Sequence, residues 1–528
     1  MSLDRALDSA PATSPPRFNL HGWGTPLLLL AAWLLLIAAT GLYRSDFLSH
    51  QTVLAVSFTM AVVGTLAIGQ ALVAISGGFI DLSQPACLIV TSLVAVRLAE
   101  AGMPLPVLII GAVLAGMLWG LINALIIVYA KLNPVIVTLA TNFIGLAVLF
   151  LVFQLAQIPN DSDIYQFGRA SLFGLPAIWW PMLALVLIVG FLLPRTRYGR
   201  HVIAVGGNRY AAKARGISLK ATRIAIFSVA GGFVGFAGIL FASASGPFNP
   251  GSANQLQLNV IASVILAGIA LLAGVVDLSI GSMVAFSSAL FALLLSLGID
   301  PWLAGPLTLL CCLAFGGINA IAIVGFGADP IAATLGMLTA LRGIAWVLLG
   351  AQGSIFAFNP GLFAIVNHSA FGLPTFFLIS IALTLVATLA VTKTRFGRHV
   401  RAVGGDDRAA ARAGISVPAM RTFALLLSAF GAGVGGIIFV GQLGSAARAT
   451  GFGLEFQIYA ALMIGGYSIL RGGVGNPVGG ALGLLVVAGV TNILDLTAAS
   501  PYYANIVVGL LLLAAVLLDR LRGGDAYE

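Results

Sequence analysis

Residues 25–42 contain no charged side chain, and fifteen more apolar stretches follow them, at 53–75, 86–98, 105–130, 135–157, 177–193, 224–243, 257–273, 281–296, 303–325, 331–351, 374–391, 422–442, 456–470, 477–494 and 503–518. A helix needs about 20 apolar residues to cross a bilayer. In lipid every backbone polar group must be satisfied within the protein, so helices and closed barrels are the available solutions. These stretches are continuous and punctuated by Gly and Pro, without the ten-residue alternation of barrel strands. The expected fold is therefore all-α and polytopic, with about sixteen transmembrane helices. The short stretches 86–98 and 456–470 are expected to be tilted, broken or re-entrant. Charged residues make up only 8% of the chain, against about 25% in a soluble domain. That share excludes a soluble enzyme, a disordered regulator and a secreted disulfide scaffold.

The formal net charge is +9. Alternating the spans from a cytoplasmic N-terminus puts Arg5, Arg17, Lys131, Arg471, Arg520, Arg522 and two large basic loops on the cytoplasmic side. The opposite side holds Arg44, Arg97, Arg169 and Arg448, and Arg342 falls inside a span. The two loops carry fifteen of the 26 basic residues. The charge thus reads as a topology signal, and nucleic-acid binding is not expected. Residues 1–24 are polar and Pro-rich, lack the apolar region of a signal peptide, and read as a cytosolic tail. Both termini are expected to be cytoplasmic.

The chain repeats itself. Residues 198–218 and 396–416 are identical at thirteen of 21 positions, at an offset of 198. GGFIDLS (77–83) returns as AGVVDLS (273–279), aligning Asp81 with Asp277. GLINA (120–124) returns as GGINA (316–320), aligning Asn123 with Asn319. LNPVIVTLA (132–140) returns as ADPIAATLG (328–336), aligning Thr138 with Thr334, and FGLP (173–176) recurs at 371–374. Six spans lie between the basic loops, so the two repeats run parallel. The expected organisation is a tail at 1–24, a first copy at 25–268 and a second at 269–528.

Each loop has one order: a basic cluster, Gly-Gly, a short Ala-rich stretch, then Gly-Ile-Ser. In the first copy this is Gly206, Gly207, Ala211, Ala212 and Gly216; in the second, Gly404, Gly405, Ala409, Ala410 and Gly414. Ala favours helix and Gly a helix C-cap, so each loop reads as a compact helical knob for a partner's groove. A solvated basic loop that only fixes topology needs no such pattern in register twice.

Together, the AVGGN–AA–GI loop, the GG-IDLS turn and the LNP-I-TLA segment resemble the membrane permeases of ribose-type bacterial ABC sugar importers. The resemblance covers nearly all of 25–268 and again 269–528. It implies a type II importer permease fold, residence in the bacterial inner membrane, contact with lipid, and two protein partners: an ABC ATPase subunit and a periplasmic sugar-binding protein. It implies that the ten loop residues above couple the permease to the ATPase, which hydrolyses the ATP. The substrate implied is a simple sugar such as ribose. Some positions depart from the family. After LNVIASVILAG the first copy runs straight into AGVVDLS, without the last helices of a permease, and the second copy lacks the first helix. The segment 257–273 aligns both with 456–470 and with 53–75. Asp329 replaces Asn133, and Gln84–Pro85 stands where the second copy has Ile280–Gly281. One chain acting as a pseudo-dimer and a homodimer of chains are both open.

Polar residues within spans face a cavity or another helix. Gln70, Asn123, Asn142, Asn259, Asn319, Thr138 and Thr334 are the candidates, and Gln70, Asn123, Thr138, Asn319 and Thr334 are the expected substrate path. Two roles are open for Asp81 and Asp277: ion coupling in a secondary transporter, or a structural turn that caps a helix. Their place after Gly favours the turn. No GxxxxGK[ST] loop occurs, His21, His50, His201, His368 and His399 form no ligand cluster, and Cys87, Cys311 and Cys312 lack metal-ligand spacing. No bound cofactor or metal is expected, and the chain is not expected to be an enzyme. An ion-coupled transporter built from parallel repeats and a non-transporting membrane scaffold are the alternatives.

Overall fold

The computed structural model describes residues 24–44, 49–77, 80–152, 162–244, 261–370, 373–468, 472–496 and 502–521. The tail before Gly24, Gly78–Phe79, Asn259, Phe371–Gly372, Arg471 and Arg522 lie outside the described residues.

The first copy folds as helices α1 (Gly24–Tyr43), α2 (His50–Ile75), α3 (Gln84–Glu100), α4 (Leu105–Tyr129), α5 (Pro134–Val152) and α6 (Asp163–Arg169). A hairpin of β1 (Ser171–Leu172) and β2 (Leu175–Pro176) follows, then α7 (Trp179–Arg195), α8 (Arg197–Gly207), α9 (Arg209–Ala214) and α10 (Leu219–Ala244). The chain continues with α11 (Ile261–Leu272), which spans the expected boundary at 268/269, and then α12 (Ile280–Ser296), α13 (Pro301–Ala320), α14 (Pro330–Leu349), β3 (Ser354–Phe356) and α15 (Pro360–Asn367). It continues with β4 (Ser369–Ala370), β5 (Leu373–Pro374), α16 (Thr375–Lys393), α17 (Arg395–Gly405), α18 (Asp407–Arg412), α19 (Val417–Leu443) and β6 (Ser445–Ala447). Then come α20 (Leu454–Ile464), α21 (Pro477–Leu496) and α22 (Tyr502–Leu521). A π-helical turn, Ile321–Gly325, extends α13.

Local chemistry sets the boundaries. Pro sits in the first turn of α3, α4, α13 and α14, where its missing N–H costs nothing. Asp329 caps α14 by accepting from the Ala332 N–H at 3.0 Å, and Asn133 accepts from the Val135 N–H at 2.9 Å ahead of α5. The two residues that differ between the copies thus serve the same helix start.

Each copy is organised around one long helix. In the first, α10 packs on α2, α3 and α4; in the second, α19 packs on α11, α12 and α13. The α4–α10 approach needs Gly116, Gly120, Gly231 and Gly235, because an added Cβ at any of them would strike the facing backbone. Such small-xxx-small seams let helices pack closely in lipid. The second copy has Cys312, Gly316 and Ala429 at three of these positions, and there the close contacts are to side chains.

Helix α11 takes the place in the second copy that α2 holds in the first: it packs on α19 as α2 packs on α10. The two copies share one buried cluster, joining Ile136, Val137 and Ala140 of α5 to Val508, Leu512 and Val516 of α22. Gly509 of α22 sits over Ala140 and Ile144, with an added Cβ falling 2.9 Å from the Ala140 carbonyl oxygen. Phe143 of α5 meets Phe456 of α20 edge-on at 5.4 Å. Residues 136–143 of α5 are accordingly buried throughout. On α14 the matching residues Gly336 and Ala340 are exposed, and no described atom lies within 4 Å of a Cβ added at Gly336.

Each of the sixteen apolar stretches overlaps one helix: α1–α5, α7, α10–α14, α16 and α19–α22. Among the described residues, six are by themselves long and apolar enough to cross a membrane, at Val56–Ile75, Leu105–Tyr129, Leu219–Ser243, Pro301–Gly325, Pro330–Leu349 and Val417–Leu443. Two bent pairs, α7–α8 and α16–α17, raise the number to eight. The stretches 86–98 and 456–470 correspond to α3 and α20, of 17 and 11 residues, each closed by a turn. The Asp-Leu-Ser turns separate α2 from α3 and α11 from α12. Large outward side chains such as Leu35, Leu187, Val347 and Leu510 are exposed, as expected where acyl chains replace water.

Candidate functional site

The two basic loops fold alike. α7 and α8 meet at 75°, α16 and α17 at 73°. Thr196 and Thr394 set these corners by accepting from the Gly199 and Gly397 N–H groups at 3.1 and 3.3 Å. α8 then buries Gly199, Val202 and Val205, and α17 buries Gly397, Val400 and Val403.

Gly206 and Gly404 sit where α8 and α17 cross the ends of α2 and α11. A Cβ on Gly206 would strike the Ile75 carbonyl oxygen, and one on Gly404 the Leu272 carbonyl oxygen. Gly207 and Gly405 meet nothing within 4 Å among the described residues. The short helices α9 and α18 begin at Asn208 and Asp406, whose side chains accept from the Ala211 and Ala409 N–H groups at 3.0 and 2.9 Å. That bond holds the exposed Asp406 carboxyl below the usual carboxylate range. Both helices end at a left-handed glycine, Gly216 with φ 78° and Gly414 with φ 80°. The Ile217 and Ile415 N–H groups then close back onto the Ala212 and Ala410 carbonyls at 3.1 and 3.0 Å, the closing bond of a Schellman cap. Ala212 and Ala410 are buried anchors, while Ala211 and Ala409 face outward. Each loop is thus a rigid knob presenting a small outward face.

A second pair of clusters lies at the turns before α3 and α12. Asp81 accepts from the Ser83 N–H at 2.9 Å and the Ser83 hydroxyl at 2.6 Å. Asp277 accepts from the Ser279 N–H at 3.0 Å and its hydroxyl at 2.6 Å. Asn123 and Asn319 reach over from α4 and α13 and donate to those serine hydroxyls at 2.8 and 3.1 Å. The sequence repeat is therefore a spatial repeat, with Asp, Ser and Asn pinning a turn to the neighbouring helix in each copy. Thr138 accepts from the Leu82 N–H at 3.1 Å, which ties α5 to the same turn. Thr334 donates back to the Pro330 carbonyl at 2.8 Å. Asn142 accepts from the Ala86 N–H at 3.1 Å. Gln70 is half-buried on α2, with its buried Oε1 lacking a partner among the described residues, as does Asn123 Oδ1.

Sequence reasoning missed two partners of Asp277 and a buried acid near them. Ser428 donates to Asp277 Oδ2 at 2.8 Å. The Tyr459 hydroxyl accepts from the Asp277 N–H at 2.7 Å and donates to the Asp277 carbonyl at 3.0 Å. Glu455 is buried at the start of α20, beside Gly281, and an acid in that apolar run was the available signal. Nearby, Arg342 of α14 donates to the Thr450 and Gly451 carbonyls at 2.7 and 2.9 Å.

A family profile described as the branched-chain amino acid transport system / permease component matches the chain twice, at 52–273 and 269–516. The chain is 32% identical to the ribose import permease protein of Haemophilus influenzae over 272 residues, covering 51% of this chain and 84% of that protein. It is 32% identical to the D-allose transport system permease protein of Escherichia coli, covering 53% and 88%. It is 30% identical to the L-arabinose transport system permease protein of the same species, covering 48% and 76%. No solved structure matches.

Proposed function

The chain belongs to the branched-chain amino acid transport system / permease component family, which its sequence matches twice, and from that membership we propose how its two halves work. It is a multi-pass inner-membrane permease of an ABC importer that translocates a simple sugar, the chemistry named for its ribose, allose and arabinose relatives. Its partners are an ATPase subunit, which binds and hydrolyses the ATP, and a substrate-binding protein. The concentration of Lys and Arg in the two loops supports a cytoplasmic side there, with both termini on it.

The observation that carries the mechanism is the matched pair of knobs. Each is a capped helix of six residues with a buried alanine anchor, held against the end of a long helix by a glycine that admits no side chain. A force applied at α9 or α18 reaches α2 or α11 through backbone contact at Gly206 or Gly404. Gly206, Gly207, Ala211, Ala212 and Gly216, with Gly404, Gly405, Ala409, Ala410 and Gly414, are the coupling residues of this reading. From α2 and α11 the movement passes to the helices that they pack on, α10 and α19, and so to the pinned turns at Asp81 and Asp277. Neutral Gln70, Asn123, Thr138, Asn319 and Thr334 line or support the sugar's route, and the two aspartates hold the turns that shape it.

One chain supplies both halves, supported by the common core between α5 and α22. In this reading α11 works with the second copy, a placement supported by its packing on α19, as α2 packs on α10. Reconstitution in vesicles with the ATPase and binding protein tests the reading. Uptake of ribose, allose or arabinose should require ATP and stop when Ala211 and Ala409 are both made Trp. Uptake by the chain alone, driven by an ion gradient, would overturn it. A dimer of chains in the active complex would overturn the one-chain assignment.

A further inference from the structure

The two knobs have the same backbone and different charge. Residues 208–216 carry Arg209, Lys213 and Arg215 and no acid; in 406–414, Arg408 and Arg412 are offset by Asp406 and Asp407. The surroundings deepen the difference. No Asp or Glu occurs between Arg195 and Arg223, so nothing in the first loop neutralises α9 from its own or adjoining segments. In the second loop Asp407 pairs with Arg421 at 3.1 Å, whereas the matching residues of the first loop, Arg209 and Arg223, are both basic. Arg401 of α17 turns inward to the Gly475 carbonyl at 3.0 Å. The knobs also differ in shape: Tyr210 stands 73% exposed on α9 where α18 has Arg408.

Resting on the ATPase-docking reading above, we propose that the two knobs fit unlike grooves: α9 docks into an acidic groove that also accepts Tyr210, and α18 into a groove without net charge. The chain then sits on its ATPases in one orientation. The first contact is strongly electrostatic, because exposed like-signed charges steer association and are screened by salt. The second depends on the alanine face and is nearly indifferent to salt.

The test uses the complex purified from the producing cell, with its own ATPase bound. Ala211→Cys and Ala409→Cys place one reporter on each knob, and cross-linking to the ATPase is followed as salt rises. The Ala211→Cys yield should fall by about tenfold between 0.05 M and 0.5 M salt, over which the screening length drops severalfold, while the Ala409→Cys yield changes less than about twofold. A triple change, Arg209→Ala with Lys213→Ala and Arg215→Ala, should flatten the first curve; Arg408→Ala with Arg412→Ala should leave the second as it was. Parallel salt curves for the two reporters would overturn the inference while leaving the permease reading intact. Cross-linking to no ATPase from either knob would overturn both.

Discussion

At the scale of single residues, adjacent glycines in one loop do different work. An added methyl at Gly404 meets the backbone of Leu272 and lies 2.6 Å from the Gly473 nitrogen, whereas one at Gly405 meets nothing described. Gly404→Ala should destabilise the protein by about 1–3 kcal/mol, the usual cost of overpacking, and Gly405→Ala by less than about 0.5 kcal/mol; thermal unfolding in detergent reads both. Asp277 holds Ser279 and Ser428 together, so Asp277→Ala should cost about 1–3 kcal/mol through stranded donors. If its role is structural, Asp277→Asn retains ATP-dependent uptake, and dissipating proton and sodium gradients leaves the unaltered chain's uptake unchanged. Asp81 and Asp277 were legible in the sequence because they recur in register beside their serines. Ser428 and Tyr459 were not, because they approach Asp277 from 151 and 182 residues away, and Ala230 stands in the first copy where the second has Ser428.

At the scale of elements, the knobs were readable nearly whole, since Ala runs, Gly stops and cap residues act locally. The sharp corners at Thr196 and Thr394 were not, because each depends on a long helix and a short amphipathic one meeting at the membrane surface. Caps and terminal glycines make the knobs rigid. Asn208→Ala should cost the α9 start about 1 kcal/mol, and Gly414→Ala should cost the α18 end about 1 kcal/mol through its left-handed backbone. Both should lower coupling, measured as sugar-stimulated ATP hydrolysis in the reconstituted complex, with unfolding temperatures shifted by only a few degrees. The apolar stretches were readable as well: each of the sixteen overlaps one helix, because hydropathy registers the continuous apolar length that a bilayer demands.

For the whole molecule, the repeat announced two copies, but their joining could not be read from it. The segment 257–273 aligns with two different helices, and only packing shows α11 on α19 acting as α2 does on α10. The seam between the copies is α22 on α5, with Gly509 at its closest point. Gly509→Leu should force that seam apart at a cost of about 1–3 kcal/mol or more. It should abolish uptake while leaving both knobs able to bind ATPase, separable by comparing pull-down with transport.

The exposed face of α14 has a consequence for the medium around the protein. α5 is wrapped by α22 and shielded from its surroundings, while Gly336, Ala340 and Val347 of α14 look outward. Among the described residues, then, the annulus of acyl chains reaches one half of the permease at a helix that the other half keeps internal. A helix bathed in lipid must match the local hydrocarbon thickness by tilting, or by thinning or thickening the bilayer around it, and one enclosed by protein need not. Membrane thickness therefore acts on α14 directly and on its counterpart α5 only through the protein that encloses it, so at this pair of helices acyl-chain length becomes a one-sided control.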